Sequence, residues 1–414
     1  MVFMDVDVVV LGAGIVGVST ALHLQARGRS VVLLDRRGAG EETSYGNAGL
    51  IERSSVIPYA FPRQLSDLIR VGLKQTTAVN YHLSFLPQIA PWLFQYWRNS
   101  SPAHLAEAAA AMLPLIERSV SEHAALMQQA DATQLARDTG WIAVYRTTQD
   151  WEKAIALAEA LKAYKLNYAV LDRGQLAERE PFLSGLLGGI HWLDPMSVMD
   201  PGALTKAYAD LFVRQGGRFA SGDARSLSES GRRWSVQTED GPLSAAEIVV
   251  ALGPWSSDVF RNLGYRFPMA IKRGYHLHYK AAGNAALNHP VLDRVSGFVL
   301  APMSRGIRLT TGAEFASRDA PPTPVQIGRD EPLARSIFPL GERVEDQPWV
   351  GNRPCFPDMR PIIGKAPRHD GLWFAFGHAH HGFTLGPVTG RLMSEMITGG
   401  ETCVDPAPYR ADRF

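Results

Sequence analysis

Three glycines at fixed spacing, in Gly12-Ala13-Gly14-Ile15-Val16-Gly17, are the first residues of this 414-residue chain whose arrangement could do chemistry. They follow a β-branched run at 6–11 (VDVVVL) and precede a helix-like segment at 18–27. In that setting Gly12 permits a tight turn, Gly14 lets the backbone approach a pyrophosphate, and Gly17 lets the helix lie close on the strand. The helix start, with Ile15 and Val16, offers N–H groups and a partial positive charge to phosphate. A second strand-like run at 30–35 (SVVLLD) ends on Asp35, placed to accept from a ribose 2′-hydroxyl. That disfavours NADP, although Arg36 and Arg37 follow directly. Far downstream, His378, His380 and His381 crowd one turn. A metal would need an acidic or cysteine partner nearby and H-A-H-H has none, so no metal is expected. His381 is expected to line a site and its neighbours to be structural.

These groups must be held by a sizeable body. At 100–200 residues per domain the length suggests two or three domains. Hydrophobic residues make up 46 % of the chain and charged residues 20 %, which excludes disordered and fibrous classes. Lys and Arg number 42 against 41 Asp and Glu, a net charge of +1, so nucleic-acid binding lacks an electrostatic basis. Two cysteines, Cys355 and Cys403, fit a reducing compartment. The uncharged stretch at 8–26 lacks a basic leader and carries the three glycines, so it reads as neither signal peptide nor membrane span, and a cytoplasmic chain is expected.

The segment after Asp35 separates the possible dinucleotides. Glu42-Thr43-Ser44-Tyr45-Gly46-Asn47-Ala48-Gly49, with Leu50 next, is dense in small and hydrogen-bonding residues where a plain dehydrogenase would carry a helix. The glycine fingerprint together with this run resembles the FAD-dependent D-amino-acid dehydrogenase group, within the wider family that includes glycine oxidase and sarcosine oxidase. Three more segments extend the resemblance along nearly the whole chain. They are Val249-Val250-Ala251-Leu252-Gly253-Pro254-Trp255-Ser256, then Asn352-Arg353-Pro354 running on to Asp358 and Pro361-Ile362-Ile363-Gly364, and last Gly377-His378 through Gly382-Phe383-Thr384, with Gly386 and Gly390.

The resemblance implies a mixed α/β fold: a Rossmann-type FAD-binding domain (1–54, 196–265 and 346–414) interleaved with an antiparallel-sheet substrate domain (55–195 and 266–345). It implies FAD as cofactor, with Gly253 and Trp255 and the Gly382–Thr384 turn beside it. The substrate implied is a D-amino acid or a cyclic imino acid such as D-proline or hydroxy-D-proline. Arg353 stands where the family places an arginine, and a planar guanidinium is the best clamp for a carboxylate. Tyr275 and His276 lie on a strand that the resemblance sets beside the substrate. Alternation lets one of them face it, and Tyr275 is favoured. No dedicated base is needed if the amine arrives neutral.

Cys355 raises covalent flavin attachment, as in sarcosine-oxidase-like relatives, but its spacing to Asp358 differs and a small buried residue is the plainer reading. Arg308 falls where oxygen-using relatives carry a lysine above the flavin. A dehydrogenase passing electrons to a quinone or another carrier is therefore expected, with an oxygen-using amine oxidase or a flavin-binding subunit of a larger complex as alternatives. The apolar and aromatic stretch at 81–97 reads as substrate-domain core, with a peripheral contact to the inner face of a membrane, or to a partner, as its alternative.

Overall fold

A computed structural model describes residues 4–414; residues 1–3 lie outside it. The β-branched run forms the strand Met4–Leu11, whose Val8, Val9, Val10 and Leu11 are fully buried, as a parallel strand covered on both faces requires. It pairs in parallel with Val31–Asp35 on one side and Gly241–Val250 on the other. Arg218–Ser230 adds to Val31–Asp35 in parallel, then turns back against Arg233–Thr238. Leu372–Phe376 and Ile362–Lys365 complete a seven-stranded sheet. The first helix, Ile15–Ala26, lies along the C-terminal helix Gly382–Ile397. Their axes approach closely because Gly386 and Gly390 carry no side chain: a Cβ there would meet Ile15 Cγ1 at 2.8 Å and the Ser19 backbone at 2.5 Å. Those two glycines serve helix packing.

The second, eleven-stranded sheet is mainly antiparallel, with parallel pairings of Val291–Asp293 with Trp141–Tyr145 and of Val79–Tyr81 with Ala313–Phe315. Its long strand Ala270–Ala281 carries Gly306–Thr310 and Ala313–Phe315 along one edge, and Leu340–Arg343 and Trp349–Cys355 along the other. A three-stranded sheet, Leu50–Ile51, Met196–Val198 and Ala136–Arg137, ties the two together. The helix Pro102–Gln129 buries Met112, Ile116, His123 and Met127. Asp200 caps Pro201–Arg214, its Oδ1 accepting from the Ala203 N–H at 2.9 Å, with Pro201 in the first turn. In the stretch 81–97, Ile89, Trp92 and Tyr96 are core, while Phe94 and Trp97 are exposed. Among the described residues no helix is long and apolar enough to cross a membrane.

Candidate active site

A cavity of about 1220 Å³ runs from the glycine turn, past the 42–50 loop, to the strand Trp349–Cys355. At its first end Gly12 has φ +107°, and a Cβ there would lie 2.5 Å from the Ala251 carbonyl oxygen. A Cβ on Gly17 would lie 1.8 Å from the Gly12 oxygen, so that glycine stands behind the wall and lets helix meet strand. Gly12, Gly14, Ile15 and Val16 line the cavity, so the helix start, apart from the Ile15 N–H that Ser44 takes, opens its N–H groups onto it. Asp35 also lines it and braces the turn: Oδ2 accepts from the Ala13 N–H at 2.7 Å and Oδ1 from the Arg37 N–H at 3.0 Å. The Arg36 guanidinium lies 4.7 Å over the Trp255 ring, and both border the cavity with Gly253.

The polar loop is pinned in three directions. Ser44 Oγ accepts from the Ile15 N–H at 3.0 Å, and Thr43 Oγ1 donates to the Asn352 carbonyl at 3.1 Å. Asn47 Oδ1 accepts from the Gly49 N–H at 2.8 Å. Thr43, Ser44, Asn47, Ala48 and Leu50 face the cavity, whereas Gly49, at φ +73°, packs behind against the Val198 carbonyl. Arg308 holds this loop from beneath, donating from Nη1 to the carbonyls of Tyr45 (3.1 Å) and Asn47 (2.5 Å). It is 3 % exposed and does not reach the cavity, which corrects the expectation that it stands over the flavin.

At the far end the C-terminal helix points its first turn into the cavity through Gly382, Phe383 and Thr384. Thr384 Oγ1 donates to the Leu50 carbonyl at 3.2 Å, and His123 Nε2 lies 2.9 Å from the Phe383 carbonyl. His381 is 4 % exposed and lines the wall, and among the described residues neither ring nitrogen has a hydrogen-bond partner. Burial pushes its pKa down to about 4, so it is neutral at pH 7. His378 bonds Thr389 Oγ1, and the His380 ring lies against Tyr59. No metal-binding group of three His, Cys, Asp or Glu occurs among the described residues.

Arg353 lies on the strand that pairs with Ala270–Ala281, register partner of Lys272. Its Nη1 donates to the Gly312 carbonyl at 3.0 Å and its Nη2 to that of Thr311 at 3.5 Å. Gly274 makes room for the guanidinium, since a Cβ there would sit 2.5 Å from Nη2. Burial pulls the Arg353 pKa below its ordinary value. Among the described residues it forms no ion pair, so a half-buried cation faces the cavity uncompensated.

Tyr275 borders the cavity, but its hydroxyl does not face into it. That oxygen donates to Glu314 Oε2 (2.7 Å) and accepts from Arg273 Nη2 (2.6 Å) and the Thr323 N–H (2.8 Å). The ring packs in the core with Leu277 and Leu309. Tyr275 therefore braces the strand behind the guanidinium, which corrects its reading as the substrate-facing member of the pair. His276 stacks on Trp349 with ring centroids 4.8 Å apart. The face turned to the cavity carries Lys272 and Gly274, which reading the sequence alone did not pick out; a strand register with Arg353 would have found them. Glu52, also unforeseen, lines the cavity with its carboxyl pushed up by burial. Cys355 is 3 % exposed on the same wall, and burial pushes its thiol up, away from the reactive thiolate.

Comparison with known proteins agrees with this arrangement. A family model described as "DAO: FAD dependent oxidoreductase" matches residues 7–396. A D-amino acid dehydrogenase from Methylobacterium nodulans is 30 % identical over 95 % of each chain. A D-amino-acid oxidase from Bradyrhizobium diazoefficiens is 27 % identical over 98 % of each. The crystal structure of glycine oxidase from Geobacillus kaustophilus superposes with a TM-score of 0.75 at 21 % identity, covering 99 % of both chains.

Proposed function

Because the chain belongs to the DAO family of FAD-dependent oxidoreductases, we propose that it oxidatively deaminates a D-amino acid or cyclic imino acid held by its carboxylate on Arg353. One observation carries this reading: a half-buried guanidinium, bonded to backbone carbonyls and facing a cavity without a carboxylate partner among the described residues. A cation drawn partly out of water without a counter-charge is destabilising, and an incoming carboxylate offsets that cost with charge-assisted bonds.

The cavity's own groups fit FAD. Gly12 leaves no room for a side chain beside the helix start, the N–H groups there suit a pyrophosphate, and the Arg36–Trp255 pair offers flat surfaces to an adenine. We assign Gly12, Gly14, Ile15, Val16, Asp35, Arg36, Thr43, Ser44, Asn47, Ala48, Leu50, Gly253, Trp255, Gly382, Phe383 and Thr384 to this role, with Gly17 and Gly49 shaping the backbone behind them. Bound FAD supplies a two-electron acceptor for the hydride of the substrate Cα. The remaining work belongs to the chain. Arg353 fixes the carboxylate and hence the direction of the Cα–H bond. Neutral His381, with two unpartnered nitrogens, can accept or donate a hydrogen bond without adding charge. The helix Leu65–Gly72 covers the cavity through Leu68 and Val71.

The two-part division of the chain (1–54, 196–265 and 346–414 against 55–195 and 266–345) is part of the same reading. Strand pairing supports it, except that Trp349–Cys355 joins the second sheet and carries Arg353 to the substrate side. For the acceptor we propose a quinone or other carrier met at an anionic membrane surface. In support, the covering helix turns Leu65 (72 % exposed), Ile69 (51 %) and, just past its end, Leu73 (63 %) outward, with Arg63, Arg70 and Lys74 around them.

Anaerobic addition of D-amino and imino acids to the flavin-loaded protein should bleach the flavin; a panel that leaves the colour unchanged would sink the reading. Reduction of a quinone analogue in air without peroxide supports the carrier, whereas stoichiometric peroxide selects the oxidase alternative.

A further inference from the structure

Lys272 is the cavity group that the function above leaves unused. It is the register partner of Arg353 across antiparallel strands, so the two side chains leave the sheet on the same face with Cβ atoms about 5 Å apart. Their heads then part. The guanidinium lies over Gly274, while the Lys272 ammonium stands 3.9 Å from the Tyr96 ring centroid, 5.3 Å from Trp92 and 5.9 Å from Phe315. Those rings orient the ammonium but carry no charge to balance it. Among the described residues Lys272 forms no ion pair. Arg294 lies over Tyr59 at the same end. Of the carboxylates that line the cavity, Glu42, Asp223 and Asp258 pair with Arg36, Arg225 and Arg318, Asp35 braces the glycine turn, and among the described residues neither Glu52 nor Asp67 forms an ion pair with Lys272.

Two cations on one wall, both facing the cavity and neither neutralised, exceed what a single α-carboxylate can satisfy. A monocarboxylic amino acid with an apolar side chain would leave the ammonium without a counter-charge in the cavity. We infer that the cavity takes an amino acid with a second carboxylate, its α-carboxylate on Arg353 and its side-chain carboxylate on Lys272. The inference rests on the proposed amino-acid oxidation and narrows its substrate class to short dicarboxylic amino or imino acids.

The test needs no turnover. The flavin-loaded protein is titrated with unreactive succinate and glutarate, and with propionate and butyrate, following the flavin absorbance. The readout is the ratio of monocarboxylate to dicarboxylate dissociation constants. In the wild type that ratio should be about tenfold or more, the value of one charge-assisted hydrogen bond. Lys272→Met, which keeps an apolar stem among the three rings, should bring the ratio to about one, and Lys272→Arg should restore it. Arg353→Met should weaken both classes together. A wild-type ratio near one, or a ratio unchanged in Lys272→Met, overturns the proposal while leaving the carboxylate clamp standing. Acids of neither class perturbing the flavin would overturn the clamp and, with it, this inference. Bleaching by D-aspartate or D-glutamate with lower substrate demand than D-alanine is the matching result under turnover.

Discussion

At the residue scale the site depends on a cation kept in place by absent side chains and by a network behind it. Arg353→Ala should lower kcat/KM for any amino acid about 100-fold or more, through loss of two charge-assisted bonds, while the flavin stays bound. Steady-state kinetics with the flavin spectrum as control measures it. Gly274→Ala should act on the same interaction without touching the guanidinium chemically. The new Cβ would fall 2.5 Å from Nη2, and the displaced clamp should cost about 10- to 100-fold in kcat/KM. Tyr275→Phe separates the two readings of that tyrosine. If its hydroxyl serves Glu314, Arg273 and Thr323, denaturant unfolding should show a loss of about 1–3 kcal/mol, while the bleaching rate at saturating substrate holds. Arg353 stood out as a candidate because an R-P segment surrounds it. Lys272 was not, because a lysine beside a strand glycine carries no signal until its partner strand is known.

Elements decide which residues can meet. The glycine turn, its helix and the acid after the second strand were readable because each is local: a β-branched run, a turn that demands glycine, a helix start. The glycines of the C-terminal helix look the same on paper and do a different job. Gly386 and Gly390 let two helices touch, so Gly390→Ala should destabilise the flavin-free protein by about 1–3 kcal/mol through overpacking. Thermal unfolding of the apoprotein tests this, and an effect seen only with flavin bound would return Gly390 to the cofactor. The face of the strand Ala270–Ala281 was misjudged for a related reason. Alternation says that neighbours oppose one another, but not which face meets the cavity; pairing with Trp349–Cys355 decides that.

For the whole molecule, burial of neutral histidines sets the response to acid. His23, His123 and His381 have pKa values pushed down to about 4, and His378 to about 3, from an ordinary 6.5, all mainly by burial. Between pH 6.5 and 4 the unfolded chain binds protons that the folded one refuses, so stability falls as pH falls, by about 1.4 kcal/mol per pH unit for each histidine. Asp330, raised to about 7, and Glu52, also raised, work the other way: their folded forms hold protons that the unfolded chain releases as pH rises. With His191, His276, His278 and His380, which burial also lowers, eight histidines stand against two carboxyls and leave a net loss towards acid, and melting temperatures should drop steeply from pH 6.5 to 4; a flat profile would show these histidines open to water. By itself the sequence determined the dinucleotide turn, the mixed α/β class, the family resemblance and the arginine proposed as the clamp, because those follow from local backbone demands and from residues kept in order along the chain. Only the tertiary structure decided that Trp349–Cys355 crosses to the second sheet, that Lys272 joins Arg353, that Arg308 lies beneath the loop and that Tyr275 turns away. Each of these depends on which distant strands pair and in what register, and no short stretch of sequence encodes that.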